Sequence, residues 1–369
     1  MLQFSKYQGL GNDFLLIDGR QGQLPERVRF PDPAWVRLIC NRRFGVGADG
    51  LILALPPQSE ADLSMKIFNA DGSEAEMCGN GIRCLARFVA DVDGKTTCDY
   101  SRVETLAGII QPALLNDGQI RVDMGSPYLD PQSIPTTLPC GPAGLPQGEF
   151  SMDGTTLKVA AVGMGNPHVV VPVNDLNSIP FENWGHSLEQ NPAFPAKTNV
   201  HFLKVNGPDQ LEIRVWERGA GPTLACGTGA CATLVAACLL GLSGEQAEVR
   251  LPGGPLNISW PGRSGSVFMI GPAQAVFDGV MTPALMPGFS EDVSDEKQSK
   301  VVDVQQPMIN IDTPIICKAS QQSDRGTNVE VFNRKEQSFI SSSVNSFAKL
   351  TNDSLAQSTQ TQFEKDGQS

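Results

Sequence analysis

The sequence predicts an α/β (α+β) chain folded as two homologous lobes that share one cleft. The first observation is residues 215–242, VWERGAGPTLACGTGACATLVAACLLGL. A β-branched strand ends at Glu217–Arg218, a Gly-rich loop follows, and Cys226-Gly227-Thr228-Gly229 opens an uncharged Ala/Leu run. The second is residues 65–92, MKIFNADGSEAEMCGNGIRCLARFVADV, which repeat the plan with Cys78 lying 148 positions earlier. The third is a pair of further echoes in the same order. GLGNDF from Gly9 answers GMGNPH from Gly163, 154 positions on, and DGLILAL from Asp49 answers NVHFLKV from Asn199, 150 on. Matched segments at nearly constant offset argue for an internal duplication.

Each copy carries the same chemistry. Ala and Leu favour helix, and a run without charge is buried on every side. Cys226 therefore sits where a buried helix begins, and Cys78 where a helix carrying apolar Ile82, Leu85, Phe88, Val89 and Val92 begins; unpaired backbone N–H groups and the positive dipole end lie at such a start. That field draws anions and lowers a thiol from about 8.5 towards neutrality. Gly227 and Gly229 let a ligand carboxylate approach bare backbone. A lone Cys in an apolar helix is usually packing; the repetition is what favours chemistry. Nine positions before each Cys stands a polar strand-end residue, Asn69 or Glu217. Two lobes meeting face to face would bring two thiols to one cleft, a two-base site.

Composition narrows the partners. A net charge of −12 and a pI near 4.8 argue against nucleic acid or an anionic membrane surface. No apolar run approaches the roughly 20 residues of a membrane span. MLQFSKYQGLGNDF enters the fold at once, so no signal peptide is expected. Nine cysteines without a leader point to free thiols in a reducing cytoplasm. With three histidines (His168, His186, His201) and no CxxC, no metal site is expected. No phosphate-binding Gly-Lys-Ser/Thr loop occurs, and the Gly patterns in GLGNDF and GVGADG lack a βαβ setting.

In chain order, Leu2–Phe4 and Phe14–Ile17 read as strands around a Gly turn that holds Asn12. PAWVRLIC (33–40) is an amphipathic helix with Pro33 in its first turn. RRFGVGADGLILAL is loop then strand. The Cys78 helix presents Ile82, Leu85, Phe88, Val89 and Val92. A strand meander covers 98–124, and the Pro-rich stretch 126–150 suits a crossover between lobes. The second lobe repeats the plan from about 155 to 265, and PLNISW and GSVFMIGPAQAVFDG close the fold as strands. The expected domains are 1–125, completed by a last strand within about 266–285; 126–265; and a Ser/Gln-rich, aperiodic, disordered tail over 286–369.

With both cysteine motifs, GLGNDF, GMGNPH and ERGAG together, residues 1–285 closely resemble the diaminopimelate epimerases, pyridoxal-independent amino-acid epimerases. The resemblance implies two pseudo-symmetric lobes, each a β-barrel-like sheet around a central helix, and a homodimer acting without cofactor on LL-2,6-diaminopimelate. The product, meso-diaminopimelate, serves lysine and cell-wall synthesis. Carried over, Cys78 and Cys226 become the acid/base pair. Backbone at Gly79-Asn80 and Gly227-Thr228 would hold the α-carboxylate. Asn12, Asn69, Asn166, Asn199, Glu217 and Arg218 match substrate-contacting positions, with Arg218 the fork for the distal carboxylate. His168 and Glu217 match positions that tune the thiols, although from the residues alone each reads as structural. Cys84, Cys231 and Cys238 read as core. Gly50 stands where many members carry Gln, and Phe277 where some carry a Tyr at the dimer interface.

Two other readings remain open on the sequence alone. A proline or hydroxyproline racemase-like enzyme would share the fold and the cysteines, but a small cyclic substrate would not need Arg218 with Asn69 and Asn199. A thiol redox switch would use Cys78 and Cys226 as a reversible disulfide.

Overall fold

A computed structural model describes residues 2–22, 24–99 and 102–286; the tail expected beyond them lies outside the described residues. Two mixed sheets carry the fold. The first runs, in spatial order, Gln274–Met281, Leu2–Gly9, Asn12–Asp18, Gly50–Leu55, Leu63–Asn69, Val103–Thr105 and Gly108–Ile110. The second runs Gln147–Met152, Thr155–Gly163, Pro167–Pro172, Asn199–Gly207, Gln210–Glu217, Gln246–Leu251, Gly254–Ser259, Phe268–Gly271, Ile120–Asp123, Pro112–Leu114 and Cys98–Asp99.

The duplication is visible in the sense of the pairings. From Leu2–Gly9 to Val103–Thr105 the successive neighbours pair antiparallel, parallel, antiparallel, parallel. From Thr155–Gly163 to Gln246–Leu251 the same sequence of senses recurs. The GLGNDF and GMGNPH echoes are the hairpin turns that start each set. Gly11 and Gly165 take positive φ there, the backbone shape glycine adopts without strain.

The central strands are buried on both faces, which is why GLILAL reads as continuous apolar sequence. Side chains alternate between two cores. Leu16, Ile52 and Ile67 face the Cys78 helix (Gly79–Val92), while Leu15, Ile17, Leu51 and Leu53 face the outer helix Pro33–Cys40. That outer helix starts where Asp32 accepts a hydrogen bond from the Ala34 N–H, with proline in its first turn. In the second lobe Val170 faces the Cys226 helix (Gly227–Leu239) and Val169, Val171 and Phe202 the outer helix Phe181–Glu189. The inner core is continuous across both lobes.

Three expectations need correction. The division at 125/126 does not coincide with the sheet boundary, because Cys98–Asp99, Pro112–Leu114 and Ile120–Asp123 hydrogen-bond into the second sheet. Gln274–Met281 pairs with Leu2–Gly9 in the first. Pattern marks a strand but not its partner; here the 112–123 strands pack against the Cys78 helix, closing a side the first sheet leaves open. Within the expected crossover, Gln147–Met152 is an edge strand. The helix Phe181–Glu189, rich in weak formers, rests on tertiary packing of Phe181, Trp184 and Leu188. Val92, expected to pack, is exposed at the helix end. Among the described residues no helix is long and apolar enough to cross a membrane.

The inner core is the rigid wall behind the site. Replacing the fully buried Ile52 by Ala should therefore cost about 2–5 kcal/mol of stability, read by urea denaturation.

Candidate active site

The two cysteines are the N-caps of the two buried helices, with extended backbone that turns into helix at the next residue. The helices meet end to end. A methyl group placed on Gly79 would lie 3.7 Å from the Gly227 Cα, so the two first turns abut through bare glycine backbone. Cys78 Sγ accepts from the Gly81 N–H at 3.4 Å, and Cys226 Sγ lies 3.5 Å from Thr228 Oγ1.

Both thiols are raised above the ordinary range. Burial is the main cause for each; backbone N–H groups of the first turn oppose it, and the Glu217 carboxylate reinforces it, more strongly in rank at Cys226. This corrects the expectation that the helix field would lower them: desolvation outweighs the dipole, whose worth is only about 0.3–2 kcal/mol. At rest both thiols are neutral.

Around the cysteines the amide of Asn80 bridges the lobes. Its Nδ2 donates to Asn12 Oδ1 at 3.0 Å and to the carbonyl of Ala225, the residue before Cys226, at 3.2 Å. Asn12 donates in turn to Asp49 Oδ2 at 2.8 Å, and Arg42 joins Asp49 to Asp13, which also pairs with Lys6. Burial alone would raise the Asp13 carboxyl, but Arg42 and Lys6 hold it at about 2.

The second lobe presents the matching set. Asn166 Oδ1 meets His168 Nε2 at 2.7 Å, and His168 Nδ1 meets His201 Nε2 at 2.9 Å. With Asn166 Oδ1 accepting, His168 donates from Nε2 and His201 donates to His168, leaving His201 Nδ1 a buried lone pair without a partner. Desolvation pushes both imidazoles far down, His201 to about 3, so both are neutral. Ligand atoms of His168, His201 and Cys226 lie within 4.8 Å of one another. The imidazoles are committed to each other, so the group reads as a hydrogen-bonded chain beside the thiol rather than a metal centre.

The strand-end turn after Glu217 is held from below. Glu189, buried, accepts from the Gly219 N–H at 3.0 Å and from Trp216 Nε1 at 2.8 Å. Asn199 accepts from the Arg218 N–H at 3.0 Å and donates to the Pro167 carbonyl at 2.9 Å. The Arg218 guanidinium reaches the Ala196 carbonyl at 3.1 Å and stays exposed. Glu217, raised mainly by burial, accepts from Thr223 Oγ1 at 2.5 Å.

Comparison with known proteins gives the family of the chain. The sequence profile described as "Diaminopimelate epimerase" matches residues 4–129 and 160–276. A diaminopimelate epimerase of Prochlorococcus marinus (strain MIT 9313) is 70% identical over 298 residues, 81% of this chain and 98% of that protein. The chain belongs to the diaminopimelate epimerase family. A second relative, the diaminopimelate epimerase of Acaryochloris marina (strain MBIC 11017), is 53% identical over 282 residues, 76% of this chain and 98% of its own length. Among solved structures, a hydroxyproline epimerase from Agrobacterium vitis matches with a TM-score of 0.54 at 15% identity, over 75% of this chain and 91% of that one, a likeness of fold.

The structure joins Cys78, Asn12, Asn80 and the Ala225–Thr228 turn through direct contacts, and Asn166 to His168 and Asn199 to Arg218 likewise. Asn69 stands apart, exposed and bonded to Ser73. Gly50 pairs with Asn69 and with Phe14, and a Cβ there would press on the Phe68 carbonyl at 2.5 Å. Phe277 lies on the edge strand Gln274–Met281, edge-on to Phe4 with centroids 5.9 Å apart. Cys84 and Cys231 are core as expected, and Cys238 is partly exposed. Sequence reading passes over Asp49, Arg83, Glu189 and His201. The last has a signal, since the NVHFLKV echo puts it on the strand beside that of His168.

The neutral histidines carry a stability signature. Unfolded imidazoles take up protons below about 6.5 while the native ones resist until far lower, so the unfolded state binds more protons in between. Their contribution is complete above about 6.5 and is lost as pH falls towards about 3. Urea midpoints measured from pH 7 to 4 should fall with acidification, and less steeply in His201→Asn.

Proposed function

We propose that this chain interconverts LL- and meso-2,6-diaminopimelate without a cofactor, with Cys78 and Cys226 as base and acid on opposite faces of one α-carbon. The observation that carries the reading is the meeting of two thiol-capped helix N-termini at Gly79 and Gly227. A carboxylate seated there meets two sets of unpaired N–H donors, and the α-carbon it bears lies between two sulfurs.

One thiolate takes the α-proton and the C–H electron pair moves into the carboxylate, giving an enediolate-like anion. The opposite thiol then delivers its proton to the other face. Nothing is oxidised, and the configuration inverts because donor and acceptor face each other. Donors fixed on the carboxylate act on charge as it grows. Because burial favours the neutral form of both thiols, one must release its proton to solvent as substrate arrives. The α-ammonium of the amino acid supplies compensating positive charge beside it. His168, fixed by Asn166 and His201, and Glu217 are the groups placed to bias which thiol ionises. Arg218, exposed beside Asn199 on a turn braced by Glu189, takes the distal carboxylate.

We assign the homodimer interface to the strand Gln274–Met281, at the edge of its sheet among the described residues, where Val276, Phe277 and Val280 expose apolar surface prone to association. Val280→Lys should shift the chain towards monomer in sedimentation velocity.

In D₂O the reduced protein should convert LL-diaminopimelate to the meso form with deuterium at the inverted carbon. Cys78→Ser and Cys226→Ser should each lower turnover by about 10²–10⁴-fold, the usual worth of a general acid or base. Wild-type turnover in either would remove the two-base assignment. Activity on hydroxyproline but none on diaminopimelate would keep the cysteines and change the substrate.

A further inference from the structure

Arg83 is fully buried in the Cys78 helix, about a turn and a half past the thiol, and every polar partner it has is uncharged. Its Nε donates to the Pro272 carbonyl at 3.2 Å, and one terminal nitrogen to the Gly79 carbonyl at 3.1 Å with Met269 Sδ at 3.4 Å. The other terminal nitrogen donates to Asn80 Oδ1 at 2.9 Å. Among the described residues no Asp or Glu pairs with it, and the ionisable groups that feel its charge are the thiols of Cys84, Cys78 and Cys231. The pocket is kept open by glycine: a methyl on Gly9 would stand 3.1 Å from a guanidinium nitrogen, and one on Gly271 3.4 Å from Nε.

Burying an unpaired charge costs several kcal/mol, and a fold retains one where an anion arrives to meet it or where its donors hold something in place. The hydrogen bonds of Arg83 meet the second condition directly. By donating to Asn80 Oδ1 it fixes the amide the one way round that leaves both Nδ2 hydrogens for Asn12 and for the Ala225 carbonyl. Arg83 thus links the cap of one helix to the residue preceding the cap of the other.

We infer that Arg83 is a positioning residue of this site. Its fork holds Asn80 so that the two cysteine caps stay in register, and its unanswered charge is the counter-charge for the anion that forms between the helix N-termini. The inference rests on the two-base reading above. Lysine would keep the charge but could not serve Asn80, Gly79 and Pro272 together, so the two contributions separate.

The test uses the full-length reduced protein with Arg83→Met and Arg83→Lys. Turnover and KM for LL-diaminopimelate are measured. The pH dependence of iodoacetamide alkylation is followed at Cys78 and Cys226 separately by peptide mass spectrometry, and melting is recorded for each variant. Arg83→Met should lower kcat by about 10²-fold, comparable to loss of one oxyanion donor, and move Cys78 alkylation to higher pH. Arg83→Lys should return the alkylation profile towards wild type while kcat stays about tenfold or more down. A folded Arg83→Met with wild-type kcat and alkylation profile would overturn the inference. Should that variant not fold, Arg83→Lys decides: wild-type turnover there removes the positioning role. Absence of diaminopimelate turnover in the wild type would count against the function instead, and alkylation, which needs no substrate, would still test the charge.

Discussion

Two helices that point their N-termini at one another place like partial charges, each about half an elementary charge, across a gap closed by Gly79 and Gly227. That arrangement is unfavourable until something negative occupies it, and much of the molecule follows from the constraint. Glycine at the first helical position of each copy lets the two backbones approach. The Asn80 amide ties the halves together by hydrogen bonds that add no charge. Arg83 adds a buried guanidinium beside the caps, with no carboxylate paired to it among the described residues. On the two-base proposal, the anion that relieves the arrangement is the substrate's carboxylate, held more strongly as charge grows on it. The fold holds an unfavourable field in the resting state and releases it where the charge develops.

The thiols show which effect wins in such a place. The helix field and first-turn N–H groups favour thiolate, while burial and the Glu217 carboxylate favour thiol, and the balance falls to the neutral form for both. A pair of neutral thiols is chemically quiet. On the two-base proposal, reactivity then depends on charge brought by the substrate, which confines the strong base to the time when an α-proton is present. The neutral His168–His201 pair fits the same logic, because a second fixed cation beside Cys226 would hold that thiolate permanently.

Much of this is legible in the sequence because duplication writes its own control. Asn12 in a Gly-rich turn is ordinary until Asn166 answers it, and Cys78 is a core thiol until Cys226 repeats its setting. Strand identity, the outer helix at 33–40 and both cysteine helices follow from period and punctuation. Strand partnership does not, since nothing in the alternation of Pro112–Leu114 or Ile120–Asp123 says which sheet edge is free. The direction of the thiol pKa shift is hidden for a related reason. Sequence shows that a helix begins at the cysteine but not that the opposite lobe covers it, and loss of water outweighs the helix field. Arg83 escapes notice because, alongside Arg87 and Asp91 in the same helix, it reads as one more surface charge when the strands of the second sheet that cover it are unseen.

The site is held by groups that never touch a ligand, and they come in two unlike sets. On the first lobe the support is ionic: Lys6, Asp13, Arg42 and Asp49 form a chain whose last carboxylate orients Asn12. On the second it is a buried carboxylate, Glu189, committed to neutral donors, the Gly219 N–H and the Trp216 indole, to shape the turn that carries Arg218. The difference follows from what each must present. Asn12 belongs to the closed junction between the caps, where a fixed amide completes a chain through Asn80. Arg218, proposed to meet the distal carboxylate, has its backbone turn pinned by Asn199 and Glu189 while its side chain stays exposed. Duplication supplied two copies of a helix cap, and the residues around them diverged into unlike supports, the asymmetry that the proposed reaction at one end of a two-ended substrate requires.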